Sequence, residues 1–192
     1  TIVCDKFSNP EWVTSDLIGQ AEHDDLAQCI LISKDKNLLK KVKFEISKQL
    51  KEIPRASVAR KSLYDNGILV YINSDKKIIE VVNKIAPEHL ELNVKNYNAL
   101  VSKIKNSGSI CLGKYAVMAM TDYNIGSNHV LPTNGSAKYS SGISVNEFYK
   151  RISYVNLSKK GIESLGPSVI TLANYEGLFG HAQSVIKRIR RK

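Results

Sequence analysis

An α/β fold is what this sequence predicts: a parallel sheet with helices on both faces, followed by a small helical tail. Three observations support that reading. Short apolar runs alternate with helix-length amphipathic segments along the first part of the chain, the rhythm of strand, helix, strand units. The runs at residues 28–33 and 67–72 are almost continuously apolar, as strands covered on both faces must be. Beyond Ser141-Gly142 the pattern changes to mostly helix. The chain therefore divides into an α/β domain over residues 1–143 and a helical tail over residues 144–192.

Residues 1–4 read as a short strand. Pro10 suits a first helical position, with Ser8 and Asn9 ahead of it as caps, so a helix runs from there to about His23. After the strand at 28–33 comes a helix to about Leu50, on which Leu38, Leu39, Val42, Ile46 and Leu50 recur at helical spacing. A shorter helix covers residues 56–66, and residues 67–72 form the next buried strand. Ser74 or Asp75 caps a helix ending near Lys84. Glu88-His89 then enters a strand at residues 90–92, and residues 109–112 form another. Together these make a Rossmann-like sheet, whose ligands are expected in the loops that follow its strands. In the tail, residues 145–149 read as a short helix. Gly166-Pro167 starts one long helix towards Arg190 that carries Val169, Leu172, Leu178, Phe179, Val185 and Ile189. So much apolar surface needs a partner.

Composition narrows the function classes. At 192 residues and 43% hydrophobic, the chain can bury a real core. It has no apolar span of about 18 residues or more, and its start lacks a signal peptide's basic and apolar regions. A cytoplasmic location is the expectation, with no membrane partner. Cys4, Cys29 and Cys111 are odd in number and sit in apolar runs, as buried reduced thiols would. The net charge of +10 invites a nucleic-acid reading. However, Lys36, Lys40, Lys41, Lys43 and Lys48 fall largely opposite the apolar stripe, on a solvated face. The terminal run Lys187-Arg188-Ile189-Arg190-Arg191-Lys192 lacks the interleaved aromatics of a nucleic-acid site.

The chemistry centres on Glu88-His89, inside Ala86-Pro87-Glu88-His89-Leu90. A carboxylate beside an imidazole can move protons near neutral pH. The other three histidines also stand in distinctive settings. His23 closes Gln20-Ala21-Glu22-His23, a spacing that puts an amide and an imidazole on one helical face. His129 lies in residues 121–133, a stretch rich in Gly, Asn and Pro that reads as a functional loop with Asp122 near its start. His181 follows Glu176-Gly177-Leu178-Phe179-Gly180.

Read in order, these segments resemble the C-terminal half of histidinol dehydrogenase. The resemblance spans nearly the whole chain, and further matches lie at Gly108-Ser109-Ile110-Cys111-Leu112-Gly113, Asn128-His129-Val130-Leu131-Pro132-Thr133, Ser141-Gly142-Ile143-Ser144-Val145 and Leu165-Gly166-Pro167. It implies a zinc-dependent, NAD-linked enzyme that oxidises L-histidinol to L-histidine through an aldehyde, the last step of histidine biosynthesis. Residue by residue, Gln20, His23, Asp122 and His181 match the family's zinc ligands, and they also contact substrate. That donor set suits zinc, since imidazole nitrogen and amide or carboxylate oxygen are its usual partners. Glu88 and His89 match the catalytic pair, with His89 also touching substrate, and Glu176 matches a carboxylate that meets the substrate's ammonium. In the family the active site is shared across a homodimer. The equivalents here are His181 and Glu176 reaching the Gln20, His23 and Asp122 of another copy.

The departures matter too. The family's N-terminal half, with the NAD-contacting domain and a substrate-contacting serine, is not in this sequence. The expectation is therefore a partial enzyme, inactive without that half, either a truncated piece or one paired with a separate N-terminal chain. Thr121 stands where the family usually has Gly, and Lys138 where Arg is common. Two other readings stay open: a noncatalytic metal- or imidazole-binding module, and a basic nucleic-acid-binding domain. An intact Glu88-His89 pair favours the enzyme, because a mere binder needs no proton-transfer group.

Overall fold

Five short segments form the strands β1 (Ile2–Cys4), β2 (Ile30–Ser33), β3 (Ile68–Tyr71), β4 (His89–Asn93) and β5 (Ser109–Leu112), mostly apolar except for the alternating His-Leu-Glu-Leu-Asn of β4. In the computed structural model, which describes residues 1–189, they make one parallel sheet in the order β3-β2-β1-β4-β5. Arg190, Arg191 and Lys192, the end of the basic run, lie outside the described residues. The chain forms two units, Thr1–Phe148 and Tyr149–Lys192.

Helices α1 (Pro10–Ala21), α2 (Lys36–Gln49), α3 (Ala56–Asp65), α4 (Asp75–Ile85), α5 (Asn98–Val101) and α6 (Met118–Tyr123) complete the first unit. The pleat sends alternate strand residues to opposite faces. Ile2, Cys4 and Leu31 pack with α1, α2 and α3 through Val13, Leu17, Leu38, Val42 and Ala59. Val3, Ile30, Ile32, Leu90 and Leu92 pack with α4 and α5 through Ile78, Val82 and Leu100. The sheet is thus covered on both faces. Cys4, Cys29 and Cys111 are free and buried. Among the described residues no helix is long and apolar enough to cross a membrane.

Helix starts follow local chemistry. Asn9 Oδ1 accepts the Glu11 N–H at 2.9 Å, capping α1 ahead of Pro10, whereas Ser8 Oγ donates to the Asn93 carbonyl. Ser74 caps α4. Between β1 and β4 the chain's winding reverses direction, the crevice where doubly wound sheets bind ligands beyond the carboxyl ends of their strands. Here the two strand ends are tied together. The Asp5 carboxylate accepts the N–H groups of both Phe7 and Lys95 at 2.9 Å, so it joins the ends of the two strands.

Several expectations need correction. The run at 67–72 is not a buried strand: β3 is an edge strand, with Ile68 44% and Tyr71 39% exposed, because pairing is available on one side only. Asp122 lies on α6 and not in an irregular loop. Residues 145–148 make a 3₁₀ turn. In the second unit, Gly166-Pro167 does not start a helix. Helix α7 (Lys159–Tyr175) begins eight residues before Pro167, with Ser158 Oγ accepting the Gly161 N–H. It ends where Gly177 takes φ +74°, and α8 (Phe179–Ile189) follows. One predicted helix is therefore an antiparallel pair, because a glycine in the left-handed region closes a helix. Gly166 permits the close approach: a Cβ there would stand 2.3 Å from Ile189 Cδ1. Leu165, Leu172 and Phe179 of this unit remain exposed.

Candidate active site

The site is built where α4 ends and β4 begins. Ala86 takes φ 53°, a left-handed turn that stops the helix ahead of Pro87, whose ring disfavours helix in the residue before it. The chain then enters the sheet at once, setting Glu88 just outside it and His89 as the first residue of β4. The Pro87 carbonyl accepts the Gly108 N–H at 3.0 Å, and the Glu88 carbonyl accepts that of Ser109 at 2.8 Å. Gly108 is required by this contact, since a Cβ there would lie 2.6 Å from the Glu88 oxygen.

From the other side comes the last turn of α1. Its C-cap is Glu22, after which Asp24 Oδ1 accepts the Leu26 N–H at 2.8 Å and turns the chain away. Gln20 is thereby left beside His89, and its Oε1 lies 2.8 Å from His89 Nδ1. An amide oxygen only accepts, so Nδ1 carries the proton and Nε2 of the neutral ring keeps its lone pair. That Nε2 is buried without a hydrogen-bond partner, and Glu88 Oε1 stands 3.8 Å away. Burial pushes the imidazole's pKa down, opposed by the carboxylates of Glu88 and Asp122 and reinforced by His23. The ring is therefore neutral at pH 7, in a residue that lines a cleft.

The cleft has a volume of about 520 Å³ and is lined by Gln20, Ala86, Pro87, Glu88, His89, Thr133, Asn134, Gly135 and Lys138, among others. That size suits a small-molecule ligand. Asn134 and Gly135 both adopt positive φ, 52° and 77°, the demand of a tight Asn-Gly turn. Sequence reasoning did not assign this wall to the site. Its signal was the Asn-Gly pair itself.

The predicted residues do not all converge. Gln20 and His89 touch, Glu88 adjoins them, and the charges of Asp122 and His23 reach the imidazole. His23 lines a separate open depression with Asp24, Asp25, Arg55 and Lys61. Among the described residues no three His, Cys, Asp or Glu side chains come close enough to hold an ion. Glu176 and His181 belong to the second unit, at the end of α7 and on α8. The position of the site also corrects an expectation. It lies at the amino end of β4, not in loops after strands, because α1 runs antiparallel to the sheet and delivers its last turn there.

Two further acids lie beneath this site. Leu90 and Leu92 face α4, so His89, Glu91 and Asn93 face α1. Glu91 is 3% exposed, and its Oε1 accepts the Met118 N–H at 3.2 Å. It faces Asp16 on α1, whose Oδ2 is buried with no hydrogen-bond partner. The signal in the sequence was a lone acid inside an apolar strand.

Comparison with known proteins gives a consistent family. Residues 1–189 match the family model described as histidinol dehydrogenase. The chain is 81% identical over 192 residues to histidinol dehydrogenase of Pelagibacter ubique, covering all of this chain and 45% of that protein. It is 42% identical over 190 residues to the enzyme of Zymomonas mobilis, covering 99% and 44%. A crystal structure of histidinol dehydrogenase from Elizabethkingia anophelis superposes with a TM-score of 0.89 at 38% identity, over 98% of this chain and 43% of that one. The chain thus spans less than half the length of these relatives.

Proposed function

We propose a function from the premise that this chain belongs to the histidinol dehydrogenase family. It supplies the proton-transfer and much of the metal-binding machinery of an enzyme that oxidises L-histidinol to L-histidine through L-histidinaldehyde. One observation carries the reading: His89, which lines the cleft, holds its Nδ1 proton against Gln20 and keeps a buried, unpartnered Nε2 beside Glu88.

The chemistry that zinc and NAD bring to such a site is substrate orientation and hydride acceptance. Gln20, His23 and Asp122 of this chain, with His181, would hold the metal. The fit rests on the donor types and on Gln20, which already stands beside His89. His89 Nε2 takes the hydroxyl proton of the alcohol as its carbon is oxidised, and Gln20 fixes the tautomer that makes this possible. Glu88 activates the water that adds to the aldehyde. Glu176 pairs with the substrate's ammonium. His181 and Glu176 serve the cleft of a second copy in a homodimer, and the NAD site lies in sequence beyond this chain. The protein acts in the cytoplasm, in histidine biosynthesis.

The test is histidinol-dependent NADH formation by the full-length protein, with zinc content measured in parallel. His89→Asn should abolish turnover and keep zinc, whereas His23→Asn should lose zinc. Equal zinc loss in both variants overturns the division of roles. Binding of histidinol without turnover by the intact protein would instead favour a noncatalytic imidazole-binding module.

A further inference from the structure

Asp16 and Gln20 stand one turn apart on α1, and Glu91 and His89 stand two residues apart on the α1-facing side of β4. Four helical residues rise about 6.0 Å and two strand residues about 6.6 Å, so the two spacings match for a helix running antiparallel to the strand. The result is a ladder of two side-chain rungs, Gln20 to His89 and Asp16 to Glu91.

The second rung joins two carboxyl groups. Neither a carboxylate nor its partner carries a hydrogen, so a hydrogen bond between them exists only if one is protonated. Glu91 is fully enclosed, and one of its oxygens is already committed to the Met118 N–H. Among the neighbours only the Thr1 amino group brings positive charge, and burial pushes its own pKa down. From β1 come the Cys4 thiol and the Thr1 amino group, from β5 the Cys111 thiol, and from α6 the Met118 amide, with Asp122 further along it. Among the described residues, no lysine, arginine or histidine side chain is a source of the field at Asp16 or Glu91.

We propose that Asp16 and Glu91 share a single proton, forming a carboxylic acid–carboxylate bridge that fixes α1 on β4 and so positions Gln20 against His89. Asp16 and Glu91 are positioning residues and touch no reacting atom. Burial, and for Glu91 also the charge of Asp16, raises both groups, Asp16 to about 6 and Glu91 to about 7. Loss of the proton as pH rises leaves two buried like charges on facing elements, which push α1 from β4. Stability from this rung is full below the unfolded carboxyl range and is lost as pH climbs through neutrality. The consequence for His89 rests on its reading as the base. The shared proton does not.

Glu91→Gln isolates the effect, because its amide oxygen still accepts from Met118 while its NH₂ donates to Asp16 at any pH. In the full-length protein, infrared spectra at pH 6 should show the carbonyl stretch of a buried neutral acid that fades by pH 9 and is missing in Glu91→Gln. The denaturation midpoint of the wild type should fall by about 2–4 °C more than that of Glu91→Gln between pH 5 and 8. Asp16→Asn, the mirror substitution, should flatten the curve likewise, whereas Asp16→Ala should lower the midpoint throughout. If the enzyme turns over histidinol, Glu91→Gln should keep its kcat at alkaline pH where the wild type declines. A wild type with no such infrared band, or amide variants that keep the wild-type pH slope, overturns the proposal. These spectra and midpoints decide it even if the full-length protein fails to oxidise histidinol.

Discussion

The two ends of the same sheet are built in opposite ways. At the carboxyl end, between β1 and β4, the polar groups satisfy one another: Asp5 binds two backbone amides, Ser8 holds the Asn93 carbonyl, and Asn9 caps α1. At the amino end, His89 Nε2 is buried with no partner and a cleft of about 520 Å³ opens beside it. A buried polar atom without a partner is costly and persists where function needs it. The lesson is that a doubly wound topology does not by itself locate the site. An unpartnered imidazole nitrogen next to a cleft marks the candidate site, here at the end opposite to the usual one.

This contrast can be broken by substitutions at each end. The largest effect should come from His89→Asn, which should lower kcat of the full-length enzyme by about 10²–10⁴-fold, the worth of a general base, with the denaturation midpoint nearly unchanged. Gly108→Ala should cost about 1–3 kcal/mol in urea denaturation and lower kcat as well, because its Cβ displaces the Glu88 carbonyl that leads into His89. At the other end, Asp5→Ala should cost about 1–2 kcal/mol of stability by freeing two backbone donors. Its kcat should stay at the wild-type level, and a fall comparable to that of His89→Asn would erase the distinction between the two ends.

The pH dependence sharpens the same comparison. His89 titrates below the ordinary histidine value of about 6.5, so the acid limb of kcat/KM should have its midpoint below that value. Between the folded and unfolded values the unfolded chain binds more protons, so this histidine makes stability rise with pH there, and its contribution disappears as pH falls through the folded value. An acid limb centred above 6.5 would place the base elsewhere. The smallest effect should be Lys95→Ala, which removes an ammonium 4.9 Å from the Phe7 ring. The loss should be about 0.5 kcal/mol in stability, with no change in kcat.

Much of this was legible in the chain. Apolar runs or apolar alternation marked the strands, and Asn9-Pro10 and Ser74 marked helix starts, because caps and periodicity are local properties. The Glu88-His89 pair was visible because its members are adjacent. What failed to show were the features set by context. The run at 67–72 is apolar like a central strand, yet nothing in it says which neighbours exist, and β3 is an edge. Pro167 reads as a helix start, but Ser158 caps an earlier one and α7 continues through the proline. The Asn134-Gly135 turn is obvious as a turn and silent about the cleft it walls.

By itself the sequence determined the α/β class, the strands with the helices that link them, and the residue types that can bind a metal or move a proton. The tertiary structure alone decided that Gln20 and His89, 69 residues apart, meet at 2.8 Å. It also decided that Asp16 and Glu91 form a second rung below them. The reason is that propensity and periodicity act over a few residues, whereas these contacts depend on how α1 lies across β4. That placement comes from packing two apolar faces together, a property of the folded chain and not of any segment within it.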